Sequence, residues 1–147
     1  MDANKAHLAC EVSLFIARPP EDIWNFMFDL SNDKKWRTGV IDARLTSAPP
    51  VGLGTTGVHI AAFMGEFSWT ITEWEERRVA GWDFTSGILE GTHGSYRVEP
   101  ESAGSRVIIR ANFRLSGFFG VLMPLMRLIV PRRLAGDLRK LKAILEA

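Results

Sequence analysis

Three polar side chains in this sequence have the chemical types needed for acid–base chemistry on a carbonyl group. His59 lies between Val58 and Ile60 in a segment typical of a strand, and it could exchange a proton with a carbonyl compound if it faces inward. Tyr96 and Arg127 could then polarise the carbonyl oxygen. The same strand pattern also allows His59 to face solvent. These residues are therefore weak catalytic candidates, and no defined catalytic set accompanies them.

The sequence gives little support for a metal site, a nucleophilic residue or a cofactor. His7, His59 and His93 are far apart in the sequence, and no H-x-x-x-H or C-x-x-C spacing occurs, so we expect no metal. The single cysteine, Cys10, lies on the apolar face of a predicted strand, which suits a packed, inert thiol. No nucleophile elbow is present. We expect no cofactor.

A glycine motif in "VGLGTTGVHI" has the G-x-G-x-x-G spacing of dinucleotide-binding loops, with Gly52, Gly54 and Gly57 as its glycines. Such a loop requires a strand before the glycines and a helix that begins on them. Here "APP" precedes the glycines and a strand-like segment follows. The motif therefore predicts a turn between two strands, and no nucleotide site.

The elements that must position these residues follow from hydrophobic periodicity. The segment "LACEVSLFIAR" alternates as a strand, and "PPEDIWNFMFDL" has the acidic start and apolar face of a helix. Ser31 can cap a second short helix, "NDKKW". From about residue 40 to 115, six strand-like segments alternate with turn signals, which predicts an antiparallel meander.

The last 31 residues are predicted to be helical. Residues 117–130 include Arg127 and are shorter than the roughly 20 apolar residues of a membrane span, so they are expected to form a core helix. A leucine stripe follows at helical spacing, formed by Leu134, Leu138, Leu141 and Leu145. Pro131 should kink or interrupt the helix. If the helical phase continues through Pro131, Arg127 points inward and needs a partner; if the phase shifts, Arg127 reaches solvent.

The order of these elements resembles the helix-grip (START-like) fold of the polyketide cyclase/dehydrase and lipid-transport superfamily, SRPBCC. The similarity is carried by "IARPPEDIWNFMFDLSNDKKW", "SWTITEWEERRVAGWDF", "GSYRVEP" with "GSRVIIRANFRL", and "RRLAGDLRKLKAILE". The resemblance implies a single α+β domain over residues 1–147, with a curved seven-stranded antiparallel sheet around a long C-terminal helix. Two short helices follow the first strand, and a cavity lies between the sheet and the long helix.

The resemblance also implies that large apolar side chains line this cavity, although each could instead be ordinary core. The expected ligand-binding residues are Trp36, Phe63, Phe67, Trp69, Trp82, Phe84, Tyr96, Met123, Met126 and Arg127. The predicted function is binding or transport of a small hydrophobic ligand, either lipid-like or aromatic and polyketide-like. The alternative is a cyclase or dehydrase that acts on such a ligand without a metal.

Charge is distributed unevenly along the chain. The formal net charge is +1, yet residues 127–142 contain six basic residues and one acidic residue. This basic segment is a solvated helix face or a surface for a partner or an anionic membrane, which gives a third possible function as an interaction module. We expect no nucleic-acid partner, and a monomer or homodimer. One cysteine and an N-terminus without the apolar core of a signal peptide favour a cytoplasmic location.

Overall fold

Seven antiparallel strands form one sheet in the computed structural model of the protein, which describes residues 5–147 apart from the side chains at positions 5, 6, 116 and 119. Residues 1–4, part of the N-terminal stretch used for the location prediction, lie outside the described residues. The strands are β1 Lys5–Ile16, β2 Val40–Leu45, β3 Thr56–Ala61, β4 Gly65–Glu75, β5 Val79–Phe84, β6 His93–Glu101 and β7 Gly104–Ser116. Their spatial order is β1-β7-β6-β5-β4-β3-β2, so β1 and β2 form the edges. The predicted helix-grip α+β fold is confirmed.

Two short helices follow β1: α1 spans Pro20–Met27, and α2 spans Asp33–Trp36 after a 3₁₀ turn at Leu30–Asn32. Proline at the first helical position and acidic residues in the first turn of α1 favour its start. The predicted capping role of Ser31 is wrong. Ser31 instead donates its backbone N–H and hydroxyl to the Asp29 carboxylate, at 3.1 and 2.6 Å, and Asp29 caps the 3₁₀ turn.

The C-terminal region contains α3, Phe118–Val121, and the long helix α4, Met123–Leu145, which packs against the sheet. The predicted leucine stripe is confirmed as the buried face of α4, with Leu138 and Leu141 essentially inaccessible. Burial of a leucine side chain stabilises a fold by about 1.5–3 kcal/mol. Pro131 lies inside α4 and does not interrupt it, so that alternative is wrong.

The expectation of a core helix over residues 117–130 is wrong for most of its apolar side chains. Helix α3 ends before Leu122, and α4 begins at Met123. The large apolar side chains that remain exposed are Phe118 at 71%, Val121 at 79%, Leu125 at 49%, Leu128 at 53% and Ile129 at 43%. Only one face of this segment meets the sheet. Among the described residues, no helix is long and apolar enough to cross a membrane.

Gly52 and Gly54 of the glycine motif lie in the connection between β2 and β3, as predicted, whereas Gly57 lies within β3. Gly54 adopts a φ of +85°, a conformation that favours glycine, and β3 begins at Thr56. No helix begins on these glycines.

Candidate functional site

A cavity of about 230 Å³ lies between the sheet and the middle of α4. Strands β2 to β7 contribute one wall, and Met126, Val130 and Leu134 of α4 contribute the other. Most of the lining side chains are apolar, while a small group of polar residues lines part of the wall. A volume several times that of a water molecule, about 30 Å³ in the liquid, exceeds an ordinary packing defect.

Two tryptophans shape the strand side of the cavity by lying over glycines of neighbouring strands. Trp69 of β4 is directly opposite Gly57 of β3, where an added Cβ would clash with the indole ring. Trp82 of β5 is opposite Gly94 of β6, where an added Cβ would lie 2.9 Å from the indole Cε2. The glycines therefore give the indole rings the space that they occupy along the cavity wall.

A buried ion pair joins the segment after α2 to α4 at the cavity. The Nε of Arg37 donates to Oδ2 of Asp137 at 3.2 Å. The other carboxylate oxygen accepts the backbone N–H of Thr38 at 3.0 Å and its hydroxyl at 2.6 Å. The Asp137 side chain is 3% exposed and that of Arg37 is 25% exposed. This pair therefore fixes α2 against α4 and places a guanidinium in the cavity wall.

The same guanidinium donates through Nη1 to the hydroxyl oxygen of Tyr96. Burial raises the pKa of Tyr96, and the charges of Asp33 and Asp137 act in the same direction against the opposing effect of Arg37. Burial lowers the pKa of Arg37, but its interactions with Tyr96, Asp137 and Asp33 outweigh this effect and raise it. At neutral pH the site therefore holds a protonated phenol beside a charged guanidinium.

Hydrogen-bond donors of this pair remain available to a ligand. Tyr96 accepts a hydrogen bond from Arg37, and its own hydroxyl proton has no acceptor among the groups that the structure describes. The Nη2 group of Arg37 likewise has no acceptor among those groups. Because both side chains line the cavity, a ligand oxygen could accept from either of them.

His59 also lines the cavity, in a second polar group. The indole Nε1 of Trp69 donates to Nδ1 of His59 at 2.7 Å, and Nε2 of His59 lies 2.7 Å from Oδ2 of Asp33. An indole nitrogen only donates, so Nδ1 must accept, and the ring proton resides on Nε2 and is donated to Asp33. Both ring nitrogens therefore have partners, and His59 can act as a base only if one of these bonds breaks.

The predicted ligand-binding residues separate into three groups. Those that line the cavity are Phe67, Trp69, Trp82, Phe84, Tyr96 and Met126. Trp36 and Met123 are buried, at 0% and 6% exposure, but lie outside the cavity wall. Phe63 and Arg127 are exposed, so their placement in the site is wrong. The ligand-binding roles of the lining residues stay predictions.

Both misplaced residues have a physical reason for their position. Phe63 lies in the turn between β3 and β4 with a φ of +67°, and its side chain is 103% exposed. Arg127 reaches solvent from α4 even though the helix continues through Pro131. Burial of an unpaired guanidinium is costly, and residues 5–147 provide no carboxylate partner for Arg127.

The polar residues of the cavity wall that the sequence analysis missed include Asp33, Arg37, Thr38 and Asp137. Asp137 could have been identified from the sequence, because it falls between Leu134 and Leu138 on the apolar stripe of α4. A carboxylate on a buried face requires a cationic or hydrogen-bonding partner. The partner itself was not evident, since Arg37 lies 100 residues away in the sequence.

Residues 5–147 contain no cluster of three histidine, cysteine or acidic side chains that could hold a metal ion. Burial raises the pKa of the Cys10 thiol, which keeps it in its less reactive protonated form.

A comparison with sequence models of protein families finds one described as "Polyketide cyclase / dehydrase and lipid transport", which matches residues 7–146. The chain belongs to the polyketide cyclase/dehydrase and lipid-transport family. Among curated protein sequences, none matches it significantly.

Solved structures share the fold of this polyketide cyclase/dehydrase and lipid-transport family member at low sequence identity. TTHA0849 from Thermus thermophilus is 20% identical, with a TM-score of 0.76 over 92% of this chain and 95% of that one. Ara h 8.0201 is 14% identical, with a TM-score of 0.69 over 95% and 97% of the two chains. The di-domain ARO/CYC StfQ from the steffimycin biosynthetic pathway is 12% identical, with a TM-score of 0.74. The alignment with StfQ covers 93% of this chain and half of that longer chain.

Proposed function

We propose that this protein binds a small, mostly apolar molecule in the cavity beneath α4, with a neutral oxygen atom of the ligand directed at Tyr96 and Arg37. The observation that supports this most strongly is the aromatic and aliphatic cavity with the unused donors of Tyr96 and Arg37 in its wall. Apolar walls supply affinity for such ligands, and a few polar groups fix their orientation. The family match agrees with this chemistry.

The charges around the donors favour a neutral ligand oxygen over a carboxylate. Asp137 pairs with Arg37, and Asp33 is close enough to influence Arg37 electrostatically. Arg110 and Arg133 also border the cavity, but both are exposed to solvent; Arg110 pairs with Glu11, and Arg133 donates to the carbonyl oxygen of Thr38. At the buried donors themselves, one guanidinium faces two acidic residues, and a ligand carboxylate would add a further negative charge at low dielectric. A carbonyl or phenol oxygen avoids this repulsion and still accepts from Tyr96.

Calorimetric titration with three matched naphthalenes tests this proposal. We expect acetylnaphthalene to bind more tightly than both ethylnaphthalene and naphthoate. In Tyr96→Phe, the affinity for acetylnaphthalene should fall by about fivefold, the equivalent of one hydrogen bond of about 1 kcal/mol. Binding of ethylnaphthalene, which has no oxygen, is the control and should be unchanged. Equal affinities for the three compounds in the wild-type protein would contradict the proposed role of the donors.

The second candidate function is a cyclase or dehydrase activity, and the carboxylate of Asp33 in the cavity wall favours it. In such a reaction Asp33 would take a proton from the carbon next to a ligand carbonyl, while Tyr96 donates to the carbonyl oxygen. Acetylnaphthalene in deuterium oxide tests this step, because reversible proton removal exchanges its methyl hydrogens. Exchange that depends on protein and is lost in Asp33→Asn would support catalysis. Absence of exchange with a ligand that does bind would leave binding as the function.

A further inference from the structure

An exposed apolar surface lies on the outside of α4 and on the neighbouring turn between β3 and β4. Leu125, Leu128 and Ile129 follow one another at helical spacing and are 49%, 53% and 43% exposed. Phe63 is close to Ile129, since both border one shallow depression of the surface. We call Phe63, Leu125, Leu128 and Ile129 the outer apolar surface. Contiguous exposed apolar groups of this kind mark interaction sites.

The backbone conformation of Phe63 is unfavourable for a bulky residue, which suggests that its exposed side chain has a function. A φ of +67° is unfavourable for a bulky side chain, and glycine, asparagine or aspartate would be the usual residue there. The phenyl ring gains no compensating burial within the described structure, because it is 103% exposed. The turn therefore carries a strained residue whose apolar ring is presented to the surroundings.

The segment that carries the outer apolar surface also contains arginines that lack acidic partners, and two of them, Arg132 and Arg133, border the same depression as Phe63 and Ile129. Residues 117–133 contain Arg127, Arg132 and Arg133 and no acidic residue. Arg132 falls seven residues after Leu125, on the same outward face of α4. Arg127 and Arg132 have no ion-pair partner in the part of the chain that the structure describes, whereas Arg133 donates to the carbonyl oxygen of Thr38. Positive charge beside exposed apolar groups complements an anionic phospholipid surface.

A second copy of the chain is a poorer occupant of this surface. A two-fold interface would bury the same patch of both copies, including Arg132, which borders the depression shared by Phe63 and Ile129. The like charges would then be desolvated next to each other without a carboxylate in residues 117–133 to compensate them. A bilayer with anionic headgroups supplies both an apolar layer and the opposite charge.

We propose that the outer apolar surface docks this protein onto anionic phospholipid membranes. This inference goes beyond ligand binding and does not depend on it. The segment of α4 that would dock also borders the ligand cavity, because Met126 and Val130 on its other side line the cavity wall. Docking therefore brings the ligand cavity within one helix diameter of the membrane, about 10 Å.

Co-sedimentation with vesicles tests the proposal. The probes are phosphatidylcholine vesicles with and without phosphatidylserine, each at low and high salt. We expect binding to the vesicles that contain phosphatidylserine, weakened by salt. Phe63→Gly and Leu128→Ser should each reduce this binding by about tenfold, since each removes one large apolar side chain from the interface. Phe63→Gly is informative because glycine suits the local φ, so the fold should be retained.

Matched controls come from other parts of the surface. Leu53→Ser removes a side chain that is 71% exposed in the loop between β2 and β3, and it should leave vesicle binding unchanged. Arg132→Gln should weaken binding, while Arg78→Gln, in the turn between β4 and β5, should not. Absence of vesicle binding, or equal binding by Phe63→Gly, Leu128→Ser and the wild type, would overturn the proposal. So would a homodimer in analytical ultracentrifugation that these two substitutions dissociate, because the surface would then be a dimer interface.

Discussion

Asp137→Ala should strongly destabilise the protein because it leaves Arg37 in the cavity wall without its carboxylate. Asp137 is 3% exposed and accepts three hydrogen bonds, one from Arg37 and two from Thr38. Loss of one partner of a buried pair costs about 3–5 kcal/mol. Because the Arg37 side chain keeps 25% exposure, we expect a value near the lower limit, about 3 kcal/mol. Urea denaturation, with linear extrapolation of the free energy of unfolding to water, measures this loss.

A control variant and a double variant test whether the loss of stability comes from leaving the Arg37 charge unpaired. Asp22→Ala removes a carboxylate that accepts two hydrogen bonds from Arg18 at the surface, where its side chain is 42% exposed. This change should cost less than about 1 kcal/mol. In Asp137→Ala with Arg37→Met, most of the lost stability should return because no unpaired charge remains. If Asp137→Ala costs no more than Asp22→Ala, or if Arg37→Met restores nothing, the ion pair does not organise the site as argued.

Three further predictions concern the cavity wall. Tyr96 is the single tyrosine of the chain, and folding raises its pKa. The free energy of unfolding that this shift contributes is therefore fully present below the ordinary phenol pKa of about 10. It is lost as the pH rises towards the higher pKa of the folded protein. Tyrosinate absorbance should therefore appear at higher pH in the native than in the urea-unfolded protein, and coincident titrations would contradict the burial argument. Gly57→Ala should cost about 1–3 kcal/mol of unfolding free energy through its clash with Trp69, whereas Gly52→Ala, where the nearest atom is 4.0 Å away, should not. Nitrogen NMR of the neutral His59 ring should show the Nε2–H tautomer, and Trp69→Phe should retain it because Asp33 still accepts from Nε2; a mixture of tautomers in the wild type would refute the assigned hydrogen bonds.

Much of the fold could be predicted because its determinants are local. The alternation in β1 and β7, the acidic start of α1 and the leucine stripe of α4 each reflect which side of an element meets the core. The glycine motif was likewise interpretable, since a strand rather than a helix follows it. The resemblance to the helix-grip fold then supplied the single curved sheet around the C-terminal helix, whereas the pairing of β1 with β7 was known only from the structure.

The position of individual side chains was harder to predict. Arg127 had two possible environments, and Phe63 was expected to line the cavity that the resemblance implied. The turn conformation exposes Phe63 to solvent, and Arg127 is exposed because only the other face of α4 packs against the sheet. Hydrophobic pattern describes average burial along an element, so it does not decide the exposure of a residue at a turn or at the rim of a cavity.

The sequence by itself determined a chain that folds into an antiparallel sheet against a long amphipathic helix, with enough large apolar side chains to line a cavity. Only the tertiary structure decided which polar groups meet there. Asp33 contacts His59 across 26 residues, and Arg37 reaches Tyr96 across 59 and Asp137 across 100. Such contacts arise from the curvature of the sheet and the placement of α4 over it, and the periodicity of each segment carries no information about them. The donors available to a ligand are therefore a property of the assembled fold, because each depends on which bonds its distant neighbours have already taken.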